Sequence, residues 1–240
     1  MNEENRTVVI GGVGAGLGAA LVRKFAQEGC RVAMLARSPD FIEQLEGEIR
    51  QAGGQAFAHV CDVTVPEEVA GVFSEIRQEA GPVDIFIHHA GNAAWGKVQE
   101  ISPADFENSW KVCALGGFVC TSEAIKDMLP RKSGVILFTG ATSSVRGRGD
   151  AVAFASAKFA VRGMAHALAD DLGPEGIHVA HVIIDGFIDT PQVRKRYNIE
   201  DEPAVQPAAA AEAYWQLACQ HSSAWTFEID VRHHAEKLME

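Results

Sequence analysis

The chain has 240 residues, 47% of them hydrophobic, and a formal net charge of −11. That length and apolar content suit one large α/β domain. The acidic balance disfavours nucleic acid as a partner, because phosphate binding needs a basic face, and no apolar run approaches the ~20 residues that span a bilayer. The polar start MNEENRT argues against a signal or transit peptide, so a cytoplasmic protein without a membrane partner is expected. Cys30, Cys61, Cys113, Cys120 and Cys219 are odd in number and lack CxxC pairing, which suggests neither a disulfide framework nor a metal site.

The first element is the organising one. Val8, Val9 and Ile10 form a short β-branched run, a glycine-rich turn follows through Gly18, and Leu17, Ala20, Leu21 and Phe25 then recur at helical spacing. Strand, glycine turn and helix together make a site where backbone N–H groups approach a pyrophosphate at a helix N-terminus. Gly12, Gly14 and Leu17 would give GxGxxG with its third position broken, whereas Gly12, Gly16 and Gly18 fit GxxxGxG. A second apolar strand, Arg31 to Leu35, ends at Ala36, Arg37 and Ser38. In dinucleotide folds that strand end meets the adenosine ribose, and a cation there rather than a carboxylate points to NADP over NAD.

The rhythm continues along the chain. A helix over 41–52 is followed by a strand from Ala56 to Val60 and then Asp62; a helix from Pro66 to Ala80 precedes a strand from Val83 to Ile87 that runs into His88, His89, Ala90 and Gly91. Phe106 to Leu129 reads as one long helix ended by Pro130. Val135 to Phe138 is the fifth strand, Ala151 to Leu172 a helix, and Val179 to Ile184 the sixth strand. Residues 191–210 are polar and proline-containing, as suits an irregular flap over a pocket, although Ala208 to Ala211 reads as helix. Trp225, Phe227, Ile229 and Val231 alternate as a seventh strand at a sheet edge or subunit contact. The expected fold is α/β: a single-domain Rossmann-like doubly wound parallel sheet of about seven strands flanked by helices, with ligands beyond the strands' carboxyl ends. It spans residues 1–240, with a flexible substrate flap at about 186–212.

Five pieces in this order resemble the short-chain dehydrogenase/reductase family over essentially the whole chain. GGVGAGLG resembles that family's TGxxxGxG, Asp62 its adenine-contacting Asp, HHAG its NNAG, Lys158 the Lys of its YxxxK, and DGFIDT its PGxxxT. The resemblance implies binding of NAD or NADP by Gly12, Gly14, Gly16, Leu17, Gly18, Arg37, Asp62, Val63, Ala90, Gly91, Lys158, Gly186 and Thr190. It also implies a homodimer or homotetramer formed through the helices carrying Trp110 and Lys158. The family's chemistry uses a tyrosine for proton transfer, a serine that positions substrate and an asparagine that holds a water relay. Here those positions fall on Phe154, Ala141 and Cys113, and a proline of the family is Asp185. A phenyl ring carries no ionisable proton, so it is neither general acid nor base, a role worth about 100-fold to 10,000-fold in rate.

Lys158 keeps its second implied role, bonding the nicotinamide ribose, and Thr190 its role at the carboxamide. Ser143 and Ser144 adjoin the fifth strand; turn hydroxyls more often bond local backbone, and Ser143 joins Lys158 as a candidate catalytic residue. His88 and His89 are expected to support the sheet, Cys113 to be a small buried hydrophobe, and His233 and His234 a solvated pair. Asp185 and Asp189, after the sixth strand, read either as solvated surface carboxylates or, for Asp185, as a group that orients substrate or a water. One reading is an NADP(H)-dependent oxidoreductase acting on a small alcohol or carbonyl by a non-standard proton relay, with water held by Lys158. The alternative is a catalytically silent, cofactor-binding regulatory or scaffold protein; a lyase or isomerase on this fold is a third.

Overall fold

The structure is a computed structural model that describes residues 5–239. Its centre is a sheet of seven strands: β1 (Thr7–Gly11), β2 (Arg31–Ala36), β3 (Gln55–Val60), β4 (Val83–His88), β5 (Gly134–Thr139), β6 (Ile177–Asp185) and β7 (Glu228–Arg232). They run in the order β3-β2-β1-β4-β5-β6-β7, and every pairing is parallel. Parallel neighbours need crossover helices, and these cover both faces, so the inner strands are apolar on both sides rather than alternating. β1 shows this directly. Val8 and Ile10 pack on one face with Leu21 and Phe25 of α1 (Leu17–Gln27) and Tyr214 of α8 (Pro207–Ala218). Val9 packs on the other with Phe73 of α3 (Pro66–Glu79) and Ala157 of α6 (Val152–Leu172). The remaining helices are α2 (Pro39–Gln51), α4 (Pro103–Trp110), α5 (Gly116–Arg131) and α7 (Pro191–Tyr197). This is the Rossmann-like single domain expected from the pattern of apolar runs.

Three local expectations are corrected. The long helix read over 106–129 is two helices joined by a π-turn, Lys111–Leu115, in which the Gly116 amide reaches back to the Lys111 carbonyl. α4 begins earlier, at Pro103, because Ser102 and Asp105 form a reciprocal capping box. Pro130 does not stop α5; the helix includes it and ends where Lys132 turns left-handed, at φ 49°. The stretch 191–210 is not irregular throughout. Thr190 caps α7 by accepting from the Val193 amide at 3.1 Å, and α8 starts at Pro207. The last strand begins at Glu228, later than the alternation from Trp225 indicates: Trp225 stacks on His178 at 5.0 Å, and Phe227 sits edge-on to His166. β7 is an edge strand of the sheet. Among the described residues no helix is long and apolar enough to cross a membrane, and no group of three His, Cys, Asp or Glu side chains is placed to hold a metal ion.

Candidate functional site

At the carboxyl ends of the strands lies a cleft of about 920 Å³. The strand order changes direction beside β1, since β2 lies to one side and β4 to the other, and such a switch point opens a crevice. The turn after β1 lines it. Gly12 has φ 91°, and a Cβ there would lie 2.3 Å from the Ala90 Cα, so the chain passes this point only as glycine. The Gly12 and Val13 amides both bond to the Leu35 carbonyl and tie the turn to β2. None of the amides from Gly14 to Gly18 finds an acceptor among the described residues. Free donors at a helix N-terminus constitute an anion site. Gly14 faces open space, whereas Gly16 packs on the Thr190 methyl and Gly18 on the Val13 backbone.

The sheet brings most of the expected residues to this one cleft. Gly12, Gly14, Leu17, Arg37, Asp62, Val63, Ala90, Gly91, Ala141, Ser143, Phe154, Lys158 and Gly186 line it; Gly16, Gly18, Cys113 and Thr190 stand behind its wall. Arg37 has no ion pair within 4 Å among the described residues and lines the same end as Asp62. Burial alone would raise the Asp62 carboxyl pKa. Hydrogen bonds from the Thr64 amide (2.9 Å) and hydroxyl (2.7 Å), with the Arg37 charge, hold it below the usual range.

The other end is built around Lys158, which α6 buries to 5% exposure. Its Nζ donates to the Thr139 carbonyl at 2.7 Å and lies 5.6 Å from the Phe154 ring centre, and burial lowers its pKa. Phe154 in turn packs on Trp95 at 5.4 Å. The Thr139 hydroxyl joins the Tyr214 hydroxyl (2.8 Å) and His89 Nδ1 (3.2 Å). Burial, then the Lys158 charge, depresses His89 to about 4, so the imidazole is neutral. His88 Nε2 bonds the Cys113 carbonyl in the π-turn at 2.9 Å; a carbonyl only accepts, so that nitrogen carries the proton and Nδ1, bare, has no partner. The Ser144 hydroxyl accepts from the Ala141 amide, as turn hydroxyls do, while the Ser143 hydroxyl makes no hydrogen bond among the described residues and lines the cleft. Asp185, 3% exposed, accepts from the Thr142 hydroxyl at 2.7 Å and the Met239 amide at 2.8 Å.

A family model described as short chain dehydrogenase matches residues 6–201. The chain belongs to the short-chain dehydrogenase family. It is 30% identical over 205 residues to D-xylose 1-dehydrogenase of Caulobacter vibrioides, covering 85% of this chain and 81% of that one. A crystal structure of a short-chain dehydrogenase from Rhodopseudomonas palustris is 37% identical, covers 96% of this chain and 100% of its own, and superposes with a TM-score of 0.84. A structure of actinorhodin polyketide ketoreductase with NADPH is 25% identical over 97% of each chain, with a TM-score of 0.88.

In this short-chain dehydrogenase the aromatic walls of the cleft were not singled out from the sequence. Trp95 and Phe154 form one, and Phe187 and Tyr197, 4.9 Å apart, another. Arg148 lines the cleft without an ion pair among the described residues. Trp95, four residues after Gly91, was the available signal. Thr142 and Tyr214 had none, because their partners lie 43 and 75 residues away in sequence.

Proposed function

We propose that this short-chain dehydrogenase is an NADP(H)-dependent oxidoreductase that acts on a small alcohol or carbonyl through a proton relay not based on tyrosine. The observation that carries the reading is Lys158, an ammonium buried inside the cleft at the end opposite Arg37. The residues present suit a nicotinamide dinucleotide. Five free amides at the start of α1 and the open space at Gly14 fit a pyrophosphate, and the unpaired Arg37 fits a 2′-phosphate. The NADPH in the actinorhodin ketoreductase structure agrees with that choice. When bound, such a cofactor supplies hydride exchange with a carbon centre.

The chain's own groups do the rest. Lys158 holds the ribose hydroxyls and places a positive charge beside the reacting oxygen, which favours an alkoxide over an alcohol. Ser143 offers an uncommitted hydroxyl to that oxygen. Trp95, Phe154 and Phe187 keep the end apolar and exclude water. Phe154 stands at the family's tyrosine position and Ala141 at its serine position, so the proton must travel by another route. Phe106, Trp110, Phe118 and Phe159 are exposed on α4, α5 and α6, which supports a homo-oligomer formed through these helices.

A second reading, a silent cofactor-binding protein, is favoured by the same Phe154 and Ala141. One experiment separates them: fluorescence titration with NADPH and NADH, followed by turnover against a panel of small aldehydes, ketones and enones. Binding with cofactor consumption is the expected outcome. Tight binding with no turnover establishes the silent reading, and binding of neither cofactor removes both.

A further inference from the structure

We propose that Thr142 is the hydroxyl that exchanges the substrate's proton in this cleft, and that Asp185 is the buried carboxylate that takes and returns it. The proposal rests on the oxidoreductase reading above and names the relay that reading leaves open. Thr142 opens the short 3-10 turn Thr142–Ser144 after β5 and lines the cleft. Its Oγ1 donates to Asp185 Oδ1 at 2.7 Å, so its lone pairs are left to accept from a substrate hydroxyl. Asp185 itself is not part of the cleft wall. It lies behind Thr142 as the last residue of β6, with its second oxygen taken by the Met239 amide at 2.8 Å.

The segment carrying Met239 completes the enclosure. Arg146 donates to the Met239 carbonyl, and Glu236 lies against Gly186, 3.1 Å from where a Cβ there would be. The carboxylate therefore communicates with the cleft through the threonine hydroxyl. The other groups described on this side and at the neighbouring end of the cleft are charged but otherwise committed or more distant. Arg232, opposite Asp185 in the β6–β7 register, bonds the Glu236 carbonyl and pairs with Asp230. Arg146 is on the Met239 carbonyl, and Lys158 is on the Thr139 carbonyl. Glu236 lines the cleft beside Gly186.

The step balances. In the oxidation direction the substrate O–H bond breaks and its proton passes to Thr142 Oγ1, while the threonine's own proton passes to Asp185 Oδ1. The electron pair of the adjacent C–H bond leaves as hydride, for which the oxidised nicotinamide cofactor is the acceptor. Reduction reverses each transfer, starting from protonated Asp185. Thr142 touches the substrate and is a catalytic residue; Asp185 acts through it.

Four single variants test this: Thr142→Val, which keeps the shape and removes the hydroxyl, Thr142→Ser, which restores it, Asp185→Asn, and Ser143→Ala as the comparison at the neighbouring hydroxyl. The first readout needs no cofactor. In urea unfolding, Thr142→Val, Asp185→Asn and the double variant should show non-additive losses of stability, because each single change removes one partner of the same hydrogen bond. Strictly additive losses overturn the hydrogen bond and the proposal with it. The second readout is NADPH consumption with the aldehyde and ketone panel. Thr142→Val should lower kcat about 100-fold or more with NADPH affinity unchanged, Thr142→Ser should recover to within a few-fold of the parent, and Asp185→Asn should flatten the pH–rate profile. Parent-like turnover by Thr142→Val, or its loss in Ser143→Ala alone, overturns the proposal and leaves the oxidoreductase reading standing. A parent that binds NADPH and turns over nothing removes both.

Discussion

Two glycines of the same turn should respond in opposite ways to one added methyl group. At Gly12 the backbone has φ 91°, and the new Cβ would lie 2.3 Å from the Ala90 Cα and 2.4 Å from its amide nitrogen. A left-handed conformation costs a non-glycine residue about 1–2 kcal/mol, and overpacking against backbone that cannot swing aside adds about 1–3 kcal/mol. Gly12→Ala should therefore lose about 2–5 kcal/mol, which for a chain of this size is a fall in Tm of roughly 5–20 °C. Gly14 is different: its φ is not left-handed, and a Cβ there would meet nothing within 4 Å. Gly14→Ala should melt within about 2 °C of the parent. Both should weaken NADPH binding, Gly12→Ala by moving the turn and Gly14→Ala by placing a methyl where the phosphates approach. Thermal melts and fluorescence titrations of the two variants decide the matter. A Gly12→Ala protein that melts like the parent would refute the steric argument, and a Gly14→Ala protein with unchanged NADPH affinity would refute the placement of the phosphates.

Arg37→Ala should weaken NADPH about 10-fold to 100-fold while leaving NADH nearly unchanged, from the ~1.5–3 kcal/mol of a charge-assisted hydrogen bond; equal weakening of both would contradict the 2′-phosphate assignment. The buried His88 makes stability fall on acidification. Burial, then the Lys158 charge, pushes its pKa from 6.5 to about 3, so the unfolded chain takes up the proton first. This contribution is complete above about pH 6.5 and is lost as pH falls toward 3, at up to ~1.4 kcal/mol per pH unit. Between pH 7 and pH 5 the unfolding free energy from urea melts should fall by about 2 kcal/mol more in the parent than in His88→Asn, and parallel declines would count against it. Phe154→Tyr combined with Ala141→Ser should raise carbonyl reduction at least 10-fold if proton transfer limits the rate, as steady-state kinetics will show. Trp110→Glu should shift the mass seen by light scattering to that of one chain; an unchanged mass places the subunit contact elsewhere.

The fold was legible because its signals are local. Short β-branched runs such as Val8–Ile10, separated by helices with apolar faces, leave little choice but a parallel sheet covered on both sides. The misread pieces are those where a tertiary contact overrides a local signal. The π-turn at Lys111–Leu115 looks like ordinary helix in sequence, and only the His88 imidazole bonding the Cys113 carbonyl shows what the widened turn is for. Pro130 sits one residue before α5 ends at Arg131, so the helix gives up one i→i−4 bond, that to the Lys126 carbonyl, rather than a run of them. Trp225 looks like a strand residue until His178 stacks on it.

The candidate site was legible at the end that is made of backbone and hidden at the end made of side chains. Glycine spacing reports a turn directly, so the anion cradle could be read from the sequence. At the Lys158 end the family resemblance implies only departures, Cys113, Ala141 and Phe154, each of which alone looks like a loss. The structure gives each a set of partners: Cys113 through His88, Phe154 through Trp95 and the Lys158 ammonium. Ala141 adjoins Gly140, where a Cβ would fall 2.3 Å from His181 Nε2 and 2.9 Å from Ser144 Oγ. His181 is in turn bound through Nδ1 to Glu228, which Arg162 grips with both nitrogens. Around these positions the packing draws on residues from β4, β6 and β7 that lie far away in sequence, and two buried imidazole nitrogens there, His88 Nδ1 and His181 Nε2, find no partner among the described residues. In the proposed relay the Thr142 hydroxyl is the group on the cleft wall, and the Asp185 carboxylate stands behind it, reached only through that hydroxyl.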